Sequence, residues 1–226
     1  MEQKAYPEKR IVFLAFLFKY GYLFVMKFSK EDKKRIKNYY RSCLRQYGIY
    51  SADALGWAGL NSQIVRFKAL LKVGNLEGKR ILDVGCGLGD LYHFLSLNYN
   101  HFEYLGIDLV PEFIEKAKIK YPQGDFLNKD ILDFKSESFD FVLSSGAMTF
   151  KIPNYKEKYF EMIKKMFQLS SLGTAFNMLN KEGHVDDDLY TAYDIEEITS
   201  FCYSLTQKLK IIKDYSPQDF TVFLYR

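Results

Sequence analysis

The chain has 226 residues, which is enough for one large domain or one domain with an appendage. Its apolar content of 48% excludes a disordered protein and supplies ample material for a core. The three cysteines are an odd number without the spacing of a metal site; they argue against a disulfide framework and predict a cytoplasmic location. Residues 1–80 hold 17 Lys/Arg and 6 Asp/Glu, a net charge of +11, whereas residues 81–226 are net negative at −7. A basic segment of this kind is typical of either a solvated helix face or a surface for an anionic partner such as RNA or a membrane.

A strongly apolar run covers residues 11–26, near the N-terminal end of the sequence, and is interrupted by Lys19. This run is shorter than the roughly 20 residues that a membrane-spanning helix needs, and no signal-peptidase site follows it. Three interpretations stay open: a hydrophobic helix on the surface or at a dimer contact, an anchor at a membrane interface, or upstream sequence translated from a wrong start, with Met26 as the true beginning.

Two helices are predicted ahead of the first strand. The first covers 29–47, with Ser29 as its N-cap and Gly48 after its last residue. The second covers 63–73, with Ser62 as its N-cap, because apolar residues recur there at helical spacing.

Residues 80–90 read RILDVGCGLGD, a buried strand followed by a glycine loop and a helix from Leu91 onwards. Alternate glycines permit positive φ angles and let the backbone approach a ligand closely. The loop suits a dinucleotide or S-adenosylmethionine (SAM). Asp83 and Asp90 frame it; two carboxylates would repel a pyrophosphate but suit a ligand that carries an ammonium and a sulfonium group.

The pattern D-x-G-x-G-x-G from Asp83 to Gly89 resembles the first motif of the class I SAM-dependent methyltransferases. The resemblance covers about residues 62–226. It implies a Rossmann-like, mostly parallel seven-stranded sheet of order 3-2-1-4-5-7-6, with the last strand antiparallel, helices on both faces and an N-terminal helical extension. The predicted divisions are a hydrophobic N-terminal segment (1–28), a helical lid or cap (29–74) and the SAM-binding domain (75–226).

The later elements alternate as this architecture requires. A second strand ends at Asp108, and a short third strand begins at Asp125. A fourth strand leads into Ser145, and the last two strands form an antiparallel pair. The further predicted elements are a helix over 113–121, a helix over 155–169, a strand over 173–179, a helix over 195–203 and strands over 208–213 and 220–225.

The resemblance also implies the binding residues. The Asp108 carboxylate would accept hydrogen bonds from both ribose hydroxyls. Asp130 would accept from the adenine amino group with Ile131 against the ring, although an aspartate that stabilises a turn is the alternative. Ser145, at the carboxyl end of a central strand, would lie near the transferring methyl group. The predicted cofactor-binding set is Asp83, Gly85, Cys86, Gly87, Gly89, Asp108, Leu109, Asp130, Ile131, Ser145, Trp57 and Arg66.

In many of these enzymes the segment before the first strand closes over the cofactor. Trp57, Gln63 and Arg66 are the lid candidates, and Arg66 is predicted to meet the SAM carboxylate. The alternative is a surface tryptophan with polar neighbours in solvent.

Methyl transfer requires mainly binding, orientation and exclusion of water. His184 is the best candidate for a general base because its pKa suits neutral pH, although a lone histidine in a charged loop is often only solvated. Ser145 and Asn177 complete the predicted catalytic set, and no metal pattern is present.

The sequence therefore predicts a SAM-dependent methyltransferase that acts by in-line transfer to an O, N or C atom of a small-molecule acceptor. The Asn-Pro-Pro-Tyr signature of amino-group methylation is absent after the fourth strand, which disfavours nucleobase amino groups as acceptors. The alternatives are a non-catalytic SAM-binding module and an NAD-type oxidoreductase. The sequence leaves open the acceptor, a contact with nucleic acid or a membrane surface, and the oligomeric state.

Overall fold

The computed structural model describes residues 26–183 and 188–226. Seven strands form one sheet of order β3-β2-β1-β4-β5-β7-β6, which confirms the predicted topology. Strands β1 to β5 are parallel, and β7 is antiparallel to both of its neighbours. The strands are β1 (Lys79–Val84), β2 (Phe102–Asp108), β3 (Asp125–Asn128), β4 (Phe139–Ser144), β5 (Ser170–Leu179), β6 (Leu209–Ile212) and β7 (Asp219–Tyr225).

Helices cover both faces of this sheet, so successive strand residues are buried in two separate clusters, one on each face. Leu82 and Val142 lie in the cluster that includes Met162, whereas Ile81 and Phe141 lie in the other. This alternation is the period of two that an extended strand imposes on its side chains. The α-helices are α1 (Lys30–Tyr47), α2 (Leu60–Leu70), α3 (Asp90–Ser96), α4 (Pro111–Lys120), α5 (Tyr155–Leu169) and α6 (Ile195–Tyr203), with 3₁₀ turns at Ala52–Leu55 and Leu71–Val73.

Helix α1 is anchored to the body of the domain at its first turn. The Ser29 hydroxyl accepts from the Asp32 N–H at 3.0 Å, and the Asp32 carboxylate accepts from the Ser29 N–H at 2.8 Å. This capping box confirms Ser29 as the N-cap. The same carboxylate lies 2.6 Å from Nζ of Lys158 on α5, and both side chains are buried. The N-terminal helix is therefore held over the ends of the central strands.

The predicted start of α2 is wrong. The helix begins at Leu60, and its N-cap is Gly59, whose φ of 86° lets the chain turn into the first helical residue. Ser62 lies inside the helix, where its hydroxyl and carbonyl oxygens both accept from Nη1 of Arg66. The Ser62 hydroxyl therefore does not cap the helix; it accepts a hydrogen bond from Arg66, one turn further along.

The apolar N-terminal run falls almost wholly on residues 1–25, which lie outside the described residues, so its three interpretations stay predictions. Within residues 26–183 and 188–226, none of the helices has both the length and the apolar character needed to cross a bilayer. Phe28, close to the first described residue, is buried against the ring of Tyr159. The described chain therefore joins the core from Phe28 onwards.

Candidate active site

The glycine loop follows β1. Its first two glycines allow side chains of other segments to approach the loop backbone closely. All three glycines have positive φ, at 76°, 54° and 82°. A Cβ at Gly85 would overlap the Ala147 methyl group, and one at Gly87 would lie 2.7 Å from the Leu55 side chain. Gly89 differs from the other two because it does not line the cavity described below. A Cβ there would lie 2.9 Å from the rings of Phe126 and Tyr121, so the structure gives Gly89 a packing role at the start of α3.

Asp108, at the end of β2, holds the glycine loop in place. Its Oδ2 accepts from the Gly87 N–H at 2.9 Å, and its Oδ1 accepts from the Val110 N–H at 2.8 Å. Burial raises the pKa of Asp108 to about 6, although backbone N–H groups favour its ionised form. Each carboxylate oxygen has a further lone pair, so the group can still accept from a ligand hydroxyl.

The two carboxylates predicted to frame the loop have different environments. Asp90 is neutralised by Lys120, whose Nζ lies 2.8 Å from Oδ1, and Oδ2 accepts from Gln63. Asp83 is buried and accepts from the Tyr104 hydroxyl at 2.8 Å. Burial raises the pKa of Asp83 to about 7, and the charges of Asp108 and Asp90 act in the same direction. Asp83 is therefore a carboxyl group that a nearby cation would ionise.

These groups face a cavity of about 270 Å³ at the carboxyl ends of β1, β2, β4 and β5. In open α/β sheets this edge is where ligands bind. His184 lies outside the described residues, so its catalytic role is a prediction. Of the other predicted site residues, the structure brings the following to the cavity: Asp83, Gly85, Cys86, Gly87, Asp108, Leu109, Asp130, Ile131, Ser145, Asn177, Trp57 and Arg66.

Asp130 has the turn-stabilising role that the sequence left as one of two alternatives. Its Oδ1 accepts from the Leu132 N–H at 2.9 Å, which stabilises the turn after β3. Its Oδ2 lies 2.6 Å from Nζ of Lys33 on α1, and the residue also lines the cavity beside the buried Ile131. The structure thus adds a cationic partner that the sequence did not indicate.

The lid candidates lie over the site, but Arg66 does not have the free guanidinium that the sequence suggested. Its Nε and Nη2 pair with the two carboxylate oxygens of Asp219 at 2.7 and 2.6 Å, and both residues are buried. Its Cζ lies 4.9 Å from the centre of the Trp57 ring. Trp57 in turn covers Gly146, where a Cβ would lie 2.7 Å from the indole. Arg66 therefore joins the lid to β7, and its charge is already balanced.

Ser145 and Asn177 are hydrogen-bonded to each other where the cavity meets the carboxyl ends of β4 and β5. The Ser145 hydroxyl donates to Asn177 Oδ1 at 2.8 Å. Asn177 Nδ2 donates to Thr221 Oγ1 at 2.6 Å, and the Thr221 hydroxyl donates to Tyr215 at 2.8 Å. Thr221 and Tyr215 were missed by the sequence reasoning, because nothing local marks a threonine on an apolar strand as the partner of a distant asparagine.

Aromatic side chains enclose the cavity from the side of α1. The hydroxyls of Tyr39 and Tyr190 are 2.8 Å apart, and Phe150 lies 5.2 Å from the Tyr39 ring. Tyr40, Phe150 and Tyr190 all line the cavity. Tyr40 therefore both packs against the core and lines the cavity, whereas Tyr39 packs against the core and hydrogen-bonds to Tyr190.

The fold and the glycine loop are those of a Rossmann-like protein, a class that binds nucleoside-containing cofactors at this edge of the sheet. Residues 81–168 match the family described as a methyltransferase domain. A putative methyltransferase of Mycobacterium tuberculosis is 25% identical over 155 residues, which cover 64% of this chain and 91% of that protein. A phthiotriol/phenolphthiotriol dimycocerosates methyltransferase of Mycobacterium leprae is 38% identical over 77 residues, but these cover only 28% of that protein.

Among solved structures, magnesium protoporphyrin IX methyltransferase from Synechocystis PCC 6803 with bound SAM has the same fold. Its TM-score is 0.65 at 17% identity, and the match covers 89% of this chain and 100% of that chain. Residues 81–168 therefore form a methyltransferase domain, and the described chain has the fold of methyltransferases that bind SAM. The residues at the site fit SAM: Asp108 retains acceptor capacity for hydroxyls, buried Asp83 suits a cation, and Gly85 and Gly87 bring backbone without a Cβ to the cavity.

Proposed function

We propose that this chain is a SAM-dependent methyltransferase that acts on a small molecule, with transfer to an O, N or C atom. The observation that carries the proposal is the cavity of about 270 Å³, which extends from Asp108 to Asn177 beneath Trp57 and the aromatic side chains. A cavity of this size with aromatic walls suits a small molecule beside the cofactor. The porphyrin named for the Synechocystis enzyme is an acceptor of this general kind.

The ribose, the ammonium group and the adenine ring of SAM each have a proposed partner in the cavity. The ribose hydroxyls donate to Asp108, and the ammonium group lies near Asp83. The adenine ring lies among Leu109, Asp130 and Ile131. When bound, SAM supplies an electrophilic methyl group, so the chain itself has only to bind, orient and exclude water. Arg66 joins the lid to β7 through Asp219. Because its guanidinium is already paired there, Arg66 is not assigned to the SAM carboxylate.

We assign the role of excluding water from the cavity to Trp57, in the lid. This is the only tryptophan of the chain, so its emission reports on this site alone. We expect S-adenosylhomocysteine to change that emission saturably and to bind with micromolar affinity by calorimetry, while NAD does not bind. Comparable NAD binding would contradict the assignment of the loop.

Turnover separates catalysis from simple cofactor binding. Labelled SAM is incubated with the protein and with separate small-molecule and RNA fractions of a cell extract. Label should enter the small-molecule fraction. Label only in RNA would refute the acceptor class, and S-adenosylhomocysteine binding without any turnover would favour a non-catalytic SAM-binding module.

We also propose a cytoplasmic location, supported by Cys43, Cys86 and Cys202, which are all free and buried. A role for the basic N-terminal third in contacting RNA or a membrane surface is a separate prediction. Binding of the full chain to RNA and to anionic vesicles at low and high salt measures it.

A further inference from the structure

We propose that the outer side of α1 docks the domain onto an anionic membrane surface. The inference goes beyond the proposed function, because it names the surface and one partner for it, and it depends neither on the acceptor nor on methyl transfer. Three observations carry it: the cations on the outer side of α1, the exposed apolar side chains at its two ends, and the contact of its inner side with the cavity.

The outer side of α1 carries a row of cations, all exposed or half-buried, that recur at intervals of three or four residues: Lys30, Lys34, Lys37, Arg41 and Arg45. This spacing places them along one side of an α-helix. Arg41 pairs with Glu112 on α4 at 2.6 Å, whereas the other four form no ion pair with a residue of 26–183 or 188–226. The one exposed carboxylate of the helix is Glu31, because Asp32 is buried against Lys158. This side of the helix is therefore strongly positive.

Apolar side chains are exposed at both ends of α1. Met26, ahead of the helix, is 36% exposed, and Tyr50, after its last residue, is 87% exposed. In the sequence, the apolar run of residues 11–26 ends shortly before the helix begins. The apolar side of α1 itself is not available to a partner, since Ile36 and Cys43 are buried in the domain. The helix thus presents cations between two apolar ends.

This combination suits a lipid surface better than a nucleic acid. Lysine and arginine are attracted to the anionic headgroups of a leaflet, and tyrosine is enriched at the level of those headgroups. Stable attachment to a membrane generally takes two signals, such as an apolar anchor and a polybasic patch. RNA phosphates would pair with the same cations but would leave the apolar run of residues 11–26 without a partner.

The position of α1 brings this surface close to the cavity. Ile36 and Tyr40, on the inner side of the helix, line the cavity. Lys129 also lines it; this exposed lysine precedes Asp130, which Lys33 of α1 contacts at 2.6 Å. The positive surface therefore continues from α1 to the cavity wall. Since an α-helix with its side chains is about 10 Å thick, docked headgroups would lie within roughly that distance of the cavity.

The test is sedimentation of the full chain with phosphatidylcholine vesicles that contain about 30% phosphatidylglycerol, at low salt where surface charge is least screened. We expect saturable binding to these vesicles and little to pure phosphatidylcholine. A variant that combines Lys30→Gln, Lys34→Gln and Lys37→Gln should bind at least about tenfold more weakly, since each cation near an anionic leaflet contributes about fivefold to the affinity.

The matched control combines Lys208→Gln, Lys210→Gln and Lys213→Gln. These exposed lysines lie on or beside β6, at the edge of the sheet opposite β3. Their loss changes the net charge equally but should leave vesicle binding within about twofold of the unmodified protein.

A gain of binding provides a second measurement that does not depend on weakened variants. Glu31→Lys removes the exposed carboxylate of α1 and should tighten vesicle binding at least about fivefold. Glu137→Lys makes the same charge change at an exposed site ahead of β4 and should not. S-adenosylhomocysteine binding, measured by calorimetry, should be unchanged in all of these variants, because none of the substituted residues lines the cavity.

The outcomes that overturn the inference are distinct. One is the absence of binding to anionic vesicles, and another is an equal loss in the two triple-lysine variants. Binding to oligouridine RNA with none to the vesicles assigns the same cations to nucleic acid and also overturns it. The vesicle measurements need no cofactor, so they are separate from the test of the proposed function.

Discussion

Replacing Asp108 by asparagine tests the cofactor site most directly. An asparagine retains one oxygen, which by itself suggests a mild effect. In the structure, however, both carboxylate oxygens accept backbone N–H groups, from Gly87 at 2.9 Å and from Val110 at 2.8 Å. The amide must therefore turn its own NH₂ group towards one of these donors. We expect Asp108→Asn to lower the free energy of unfolding by about 1–3 kcal/mol, the usual cost of an unsatisfied buried group.

The effect on the cofactor adds to this structural cost. The ribose hydroxyls lose charge-assisted hydrogen bonds, and the loop that carries Gly87 loses its anchor. We expect S-adenosylhomocysteine to bind more weakly by roughly 2–4 kcal/mol, which is about 30- to 700-fold in Kd. Asp108→Ala should have an effect of similar size, since neither variant can satisfy both backbone donors.

The assay is isothermal calorimetry at about pH 8, where Asp108, with its pKa of about 6, is ionised. Asp125→Asn is the matched control, because it removes an exposed carboxylate at the start of β3 that does not line the cavity. Unchanged binding by Asp108→Asn, with the fold intact by circular dichroism, would refute the ribose assignment. A loss of affinity in Asp125→Asn of the same size would show that net charge alone is responsible.

Three further predictions follow from buried charge, backbone geometry and pH. Lys158→Met should lower the free energy of unfolding in urea by about 3–5 kcal/mol because it leaves a buried carboxylate unpaired, whereas Lys156→Met, from a half-exposed pair, should cost about 0–1 kcal/mol. Gly146→Ala should displace the indole ring of Trp57 and weaken S-adenosylhomocysteine binding. Gly78→Ala, with a similarly positive φ but open space around it, should only lower stability. Equal binding by the two variants would contradict the role of Trp57 as a lid over the cofactor. The pKa of Asp83 is about 7, and the SAM ammonium group would favour the ionised form of this carboxyl. SAM affinity should therefore fall at least roughly fivefold from about pH 7 to about pH 6, with proton release in calorimetry, and Asp108, whose pKa is about 6, adds to the fall; a flat profile would remove Asp83 from the ammonium site.

The fold was predictable because its signals are local and repeated. The glycine loop after β1, Asp108 at the end of β2 and the Ser29 cap of α1 each occupy a short stretch whose residue types suit one structure. The start of α2 was predicted wrongly because the local signal at Ser62 was misleading. Ser62 is a good N-cap by type, but the Gly59 backbone and the Arg66 guanidinium decided where the helix begins and what the hydroxyl binds.

The sequence by itself determined the strands, the turns and the glycine loop, since short-range patterns encode them, and the family resemblance of that loop implied the sheet order and the cofactor class. Only the tertiary structure decided which polar groups meet. Arg66 and Asp219 are 153 positions apart, and Asn177 and Thr221 are 44 apart on neighbouring antiparallel strands. A buried ion or amide takes whichever partner the packed strands bring within about 3 Å, and a single sequence does not record that proximity.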